Sequence, residues 1–185
     1  MESYPFAFGS AALIQGWLGV GQPSDTDVQD SQLEVVAHIM NMDPDKVMLV
    51  TDEQVNSLHG DYFDAIEAKC DDGETGSTRT ACPAKKLEKF VLPNGDACKS
   101  WDNLKALVDW SFGSGATKNS VVVAFGGGAV INVTGLFASM LYRGMKLVYV
   151  PTTFLAMHDV VTSLKTSICH MGQKNNIGRS EEHTS

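Results

Sequence analysis

A run of β-branched residues ending in three consecutive glycines constrains this chain more than any other feature: Val121-Val122-Val123-Ala124-Phe125-Gly126-Gly127-Gly128. The stretch from Ala129 to Gly135 follows at once with an apolar, small-residue pattern of helical type. Such a succession reads as a strand, a tight turn and a helix N-terminus. Glycine permits positive φ and lets another group approach the main chain with no Cβ in the way. The free N–H groups and the dipole at a helix start favour an anion, most often a phosphate. A turn with close helix–strand packing accounts for the same glycines, so the stretch alone leaves both readings open.

The rest of the chain repeats the theme. Lys46–Asp52 is a near-continuous apolar run, as expected of a strand buried on both faces of a parallel sheet. Further strands are predicted at 4–9, at Lys86–Leu92 and at 146–150, the last again buried. Helical spacing predicts helices over 11–17, 33–40, 55–68 and 99–112, and from 129 on towards Tyr142-Arg143-Gly144. On the helix over 99–112, Trp101, Leu104, Leu107, Val108 and Phe112 share one side, and Gly113-Ser114-Gly115 stops it. Residues 21–30, 70–83 and Pro93-Asn94-Gly95-Asp96 read as loops and turns.

Alternating strands and helices predict an α/β fold with a mainly parallel sheet. Ligands of such sheets bind at the C-terminal strand ends. Asp52, Asn94-Gly95-Asp96, Gly126 to Gly128 and Thr152-Thr153 all fall at predicted strand ends, which is stronger evidence than any one of them. Asp52 itself has two readings: an acceptor for a ribose, or the cap of the next helix. Beyond Thr153 polar residues interrupt an apolar region. They suit either a surface loop or a cleft wall where Lys165 and Lys174 meet an anionic ligand.

Bulk properties exclude several classes. With 185 residues, 43% of them hydrophobic, the chain can build one cored domain, or one and part of another. A net charge of -8 with no Lys/Arg stripe argues against a nucleic-acid partner. No apolar run reaches membrane-spanning length, and Met1-Glu2-Ser3-Tyr4 does not resemble a secretory signal. Cys70, Cys82, Cys98 and Cys169 show no CxxC spacing, so reduced thiols in a cytoplasmic protein are expected. The spacing of His158 and His170 fits no metal-ligand motif.

Taken together and in order, Gly126-Gly127-Gly128, Tyr142-Arg143-Gly144, Val150-Pro151-Thr152-Thr153-Phe154-Leu155-Ala156, Asp159, Lys165 and Lys174-Asn175 resemble the 3-dehydroquinate synthase family, the sugar-phosphate cyclases. Thr51-Asp52-Glu53 is similar to the family's first cofactor segment. The segment Pro93-Asn94-Gly95-Asp96-Ala97-Cys98-Lys99 is similar to its second, whose acid is usually Glu. The resemblance runs from Tyr4 to Gly178. It implies a Rossmann-like NAD-binding domain over 1–178, with the family's C-terminal helical domain absent.

The resemblance also implies roles. Asp52, Asp96, Lys99, Gly127, Gly128, Asn132, Thr152 and Thr153 would hold NAD. Asp159, Lys165, Lys174 and Asn175 would lie where cofactor, substrate and metal meet. Arg143 would reach a phosphate in a neighbouring subunit, which implies a homodimer. The implied chemistry is transient hydride transfer to NAD, phosphate elimination, hydride return and aldol closure of a sugar phosphate to a carbocycle. The divalent metal, zinc or cobalt, would take its ligands from the missing domain, so the chain alone is expected to show weak or no turnover. Two departures matter. Asn132 stands where the synthase form has an acid, and Ser163-Leu164-Lys165 stands where it has Gly-Gly-Lys; both are closer to 2-deoxy-scyllo-inosose synthases. Residues 179–185 do not continue the family pattern and resemble a translated sequencing adapter. The alternatives are a polyol dehydrogenase of the glycerol dehydrogenase type, which shares the fold and the glycine turn, and a non-catalytic NAD-binding fragment.

Overall fold

The computed structural model describes residues 35–63, 86–163 and 165–180. The strand expected at 4–9, the helix at 11–17, the loops at 21–30 and 70–83, and the last part of the helix expected over 55–68 lie outside the described residues. The chain divides into two units at Met42 and Asp43. In the first, residues 35–41 form helix α1, with Val36 and Ile39 buried, and the Met42 N–H donates to the Ile39 carbonyl at 3.2 Å.

The second unit runs β1 (Lys46–Asp52), α2 (Glu53–His59), β2 (Lys86–Leu92), a 3-10 turn (Gly95–Cys98), α3 (Trp101–Gly113) and β3 (Val121–Gly126). It continues with α4 (Gly128–Met140), a second 3-10 turn (Leu141–Arg143), β4 (Lys146–Pro151), a π-helical turn (Ala156–Val160), β5 (Lys165–His170) and β6 (Gln173–Ser180). Among the described residues four strands form one sheet in the order β2-β1-β3-β4, every neighbouring pair parallel. The α/β class with a parallel sheet is therefore what the sequence pattern implies. From β1 the chain steps to β2 on one side and then returns past β1 to β3 on the other. Right-handed crossovers put helices on opposite faces when the direction of winding reverses. The reversal lies between β1 and β3, and a doubly wound sheet opens a crevice at such a point.

Burial follows that order. The central strands β1 and β3 are buried along nearly their whole length, as their continuous apolar runs require. On one face Met48, Val50 and Val122 pack with Leu104 and Leu107 of α3 and with Val133, Leu136 and Phe137 of α4. Phe125 is covered by Tyr62 and Phe63, with ring centroids 5.2 and 5.1 Å away. β4 is only half-buried, because it is the sheet edge rather than the interior strand the sequence suggests. Two helices also differ from expectation. α2 ends at His59 instead of reaching 68, and Gly60 follows so tightly that a Cβ there would lie 2.4 Å from the Asn56 carbonyl. On α3 the buried positions are Leu104, Leu107 and Ser111, while Trp101 and Phe112 are 49% and 58% exposed. At 100° per residue those two stand roughly 90–110° from the centre of the buried stripe, so only part of the expected apolar side reaches the core.

The largest departure is the hairpin. Residues read as a loop or cleft wall form β5 and β6, an antiparallel pair closed by Met171 and Gly172, both at positive φ. That is the two-residue turn whose twist suits a hairpin. β6 runs on into Arg179 and Ser180, which pair with Thr166 and Lys165. Among the described residues no helix is long and apolar enough to cross a membrane.

Helix α4 lies between the sheet and the hairpin, and Gly135 is the point of closest approach. A Cβ there would stand 2.5 Å from Thr166 Cγ2 and 2.7 Å from the Tyr149 hydroxyl. In an open helix Gly→Ala stabilises by about 1 kcal/mol; here overpacking costs about 1–3 kcal/mol. Gly135→Ala is therefore expected to lower the denaturation midpoint, and a raised midpoint would contradict this packing.

Candidate functional site

The four C-terminal strand ends form one rim, and the glycine turn sits in its middle. Gly127 is the N-cap of α4, and no side chain caps that helix. Its first-turn N–H groups thus lack the usual internal acceptor. The three glycines differ in what they touch. A Cβ on Gly126 would lie 2.7 Å from Val130 Cγ2, and one on Gly128 3.0 Å from Val160 Cγ2. Helix–strand and turn–helix packing account for those two. At Gly127 the nearest atom would be Thr153 Cγ2 at 3.4 Å, an ordinary contact, and its φ of -76° suits any residue. The protein's own packing gives no reason for Gly127 to be bare.

Neighbouring candidates close around this turn. The Thr152 N–H donates to the Gly126 carbonyl at 3.0 Å, and Thr153 Oγ1 accepts from the Ala156 N–H at 3.3 Å. The Asn132 amide donates to the Gly128 carbonyl at 2.9 Å, one turn back along α4. Asp159 belongs to the π-helical turn whose Val160 abuts Gly128. On the adjacent strand Asp52 is buried and its Oδ1 accepts from the Val55 N–H at 2.8 Å, so this oxygen caps α2. Asn94 does similar work from β2, accepting from the Gln54 N–H at 2.8 Å.

A second cluster joins the 3-10 turn after β2 to the hairpin. Lys174 Nζ lies 2.7 Å from Asp96 Oδ2, in an exposed ion pair. Lys99 is 7% exposed and its ammonium donates to Asn175 Oδ1. That oxygen also accepts from Ser167 Oγ at 3.0 Å. The Cys169 N–H donates to the Lys99 carbonyl at 2.7 Å, bringing the hairpin against the turn. Cys98, buried in the core beneath, has its thiol pushed up to about 12 by burial and by the nearby Asp52 carboxylate. It is an inert anchor rather than a nucleophile. Cys98 and Cys169 are both free thiols; Cys70 and Cys82 lie outside the described residues.

The hairpin has a further consequence for the sequence-derived set. Asp96, Lys99, Lys174 and Asn175 come together, as do Gly127, Gly128, Asn132, Thr152 and Thr153. Lys165 does not join Lys174: it pairs with Ser180 at the open end of the hairpin, roughly 13 Å of strand away at 3.3 Å per residue. Arg143 is also remote. It lies beyond the C-terminus of the 13-residue α4, so about 20 Å of helix separates it from the glycine turn. Ser167 and Asn176, whose side chains engage this cluster and the hairpin backbone, were not among the candidates. The signal for them was the hairpin pattern itself, Thr166 and Ile168 before Met171-Gly172. Among the described residues no group of three His, Cys, Asp or Glu could hold a metal ion.

A family model described as 3-dehydroquinate synthase N-terminal matches residues 89–184. The 2-deoxy-scyllo-inosose synthase of Streptomyces fradiae is 37% identical over 149 residues, covering 80% of this chain and 32% of that protein. The 3-dehydroquinate synthase of Jannaschia sp. (strain CCS1) is 36% identical over 133 residues, covering 72% and 32%. The chain thus spans about a third of the length of these curated relatives. Among solved structures, 2-deoxy-scyllo-inosose synthase complexed with carbaglucose-6-phosphate, NAD+ and Co2+ superposes with a TM-score of 0.63 at 25% identity, covering 80% of this chain and 38% of that one.

The Asp96–Lys174 pair sets a pH window. Hydrogen bonding to Lys174 and its charge hold the Asp96 carboxyl below its ordinary value of 3.8, and the same contact raises Lys174 above 10.5. A depressed carboxylate contributes above its ordinary value and loses the contribution as pH falls through the lower folded one. A raised ammonium contributes below its ordinary value and loses it as pH rises through the higher one. The clamp is thus intact across neutral pH. In an NMR titration Asp96 should show a midpoint below 3.8, moving up to the ordinary value in Lys174→Met and, partly, in high salt. A midpoint insensitive to Lys174→Met would contradict the pair.

Proposed function

The chain belongs to the 3-dehydroquinate synthase family, and from that premise we propose that it forms the NAD-binding part of a sugar-phosphate cyclase, its domain spanning residues 1–178. The observation that carries the reading is Gly127, a helix N-cap with no side-chain cap and with space where a Cβ would stand. A pyrophosphate fits that position: the N–H groups of the first turn of α4 supply donors and the helix dipole supplies charge. Thr152, Thr153, Gly128 and Asn132 would line the turn. Asp52 and Asp96 would meet the cofactor's sugars, and Lys99 would stand beside it. The solved 2-deoxy-scyllo-inosose synthase complexed with NAD+ is in accord.

When bound, NAD supplies a hydride acceptor that returns the hydride in the same catalytic cycle. The chain's own residues do the rest. Lys174 offers a cationic group against a departing phosphate; Lys165, at the open end of the hairpin, stands apart from it. Asn175, already oriented by Lys99 and Ser167, would hold a substrate hydroxyl, and Asp159 would hold or move a proton at the edge of the glycine turn. The two curated identities, 37% and 36%, do not separate the inosose from the dehydroquinate branch. Asn132 and Ser163-Leu164-Lys165 favour the former. Arg143, exposed and remote from the rim, suits a reach into a second copy and hence a homodimer. Two free thiols suit the cytoplasm, and a charge of -8 offers nothing to nucleic acid. No ligand set for a divalent metal is assembled among the described residues.

Two measurements test this. Calorimetry with NAD should show binding, and Gly127→Ala should weaken it roughly tenfold or more, the order of an overpacking cost of about 1–3 kcal/mol, with the melting temperature unchanged. Equal affinity in the variant would remove the cofactor reading. For a protein that carries this chain at its relatives' full length, inorganic phosphate should be released from a sugar phosphate with no net NADH. Net NADH without phosphate would instead identify a dehydrogenase of the glycerol dehydrogenase type.

A further inference from the structure

Between the pairs Ile168–Ile177 and His170–Gln173 the two hairpin strands have unequal lengths. One residue, Cys169, lies on β5, and three, Lys174, Asn175 and Asn176, lie on β6. The excess forms a bulge, with Asn175 at a φ of 54°. Bulges turn side chains away from where a regular strand would send them. This one delivers Lys174 to Asp96 and Asn175 to Lys99. It also brings the Asn176 side chain against the backbone of His170, the residue that pairs with Gln173 to close the turn.

The Asn176 side chain bonds both backbone groups of His170. Its Oδ1 accepts from the His170 N–H at 2.8 Å, and its Nδ2 donates to the His170 carbonyl at 3.1 Å. A primary amide carries an acceptor and a donor on one carbon and so substitutes for a peptide group in a ladder. A carboxylate only accepts, an apolar side chain does neither, and glutamine is one methylene too long. We propose that Asn176 is a positioning residue whose side chain bridges the N–H and C=O of His170 and thereby holds the bulge that presents Lys174 and Asn175 to the second cofactor segment.

The inference rests on the cyclase reading for its purpose but not for its geometry. Asp96 reports on it, with Lys174 and Lys99 the cations that face its carboxylate. Because Asn176 is exposed, Asn176→Leu removes two hydrogen bonds without opening a cavity. In the folded 185-residue chain, Asn176→Leu should move the Asp96 titration midpoint up to that of Lys174→Met and weaken NAD binding, with Asn176→Ala behaving alike. A folded variant whose Asp96 midpoint stays at the wild-type value would overturn the proposal. Should neither variant fold, the wild-type protein decides: NMR coupling through the hydrogen bond from the His170 amide to the Asn176 side-chain carbonyl is expected, and its absence refutes the arrangement. If the wild type shows no affinity for NAD, the cofactor reading fails while the Asp96 titration still judges Asn176.

Discussion

Everything at the rim depends on α4 lying flush against two surfaces at once. A helix of this kind normally keeps its neighbours about 8–10 Å away, because side chains fill the gap. Here Gly126 admits Val130 at the strand–helix junction, and Gly135 admits Thr166 on one side and Tyr149 on the other. The absence of two Cβ atoms therefore sets the distance from sheet to helix and from helix to hairpin. The Tyr149 hydroxyl tip shares that closeness, and burial pushes it up to about 12. A shift of the hairpin by an ångström or two would carry Lys174 and Asn175 out of reach of Asp96 and Lys99, since hydrogen bonds weaken steeply beyond about 3.2 Å. The polar cluster is thus a dependent of apolar packing made many residues away.

The 3-10 turn after β2 is held in the same manner. Cys98 is fully buried in the main core, and the turn's other residues follow where that side chain goes. Lys99 then meets the hairpin through both its main chain and its side chain. A buried ammonium is costly unless its donors are satisfied, and Asn175 with the helping hydroxyl of Ser167 answers that need. The site is a joint between a turn fixed by burial and a bulge fixed by a side-chain amide.

The alternating apolar runs made the parallel sheet, its strands and the rim of polar residues legible in the sequence, because each strand's hydrophobic pattern is local. Strand order was not, and with it went the status of β4 as an edge. Trp101 and Phe112 misled because five apolar positions fit a helical side, yet neighbouring elements cover only the narrower stripe through Leu104, Leu107 and Ser111. The hairpin escaped because Lys174, Asn175 and Asn176 break the two-residue alternation that marks a strand. The interruption that hid the strand is the bulge that does its work. Asn176 looked like a solvated loop residue, since nothing in one sequence marks an amide that bridges the backbone of the facing strand.

The two lysines brought together here are suited to different tasks. Lys99 is buried, and its hydrogen-bond partner is a neutral amide oxygen, so hydrogen bonding leaves its formal charge in place in a medium where charge acts strongly. It is a fixed cation whose field any group docked nearby must feel. Lys174 is exposed and already matched with Asp96. Exposed pairs are held weakly because water and salt screen them, so an arriving anion can compete for Lys174 at small cost. The pair ties the hairpin to the 3-10 turn, and its value there is in placement rather than in stability.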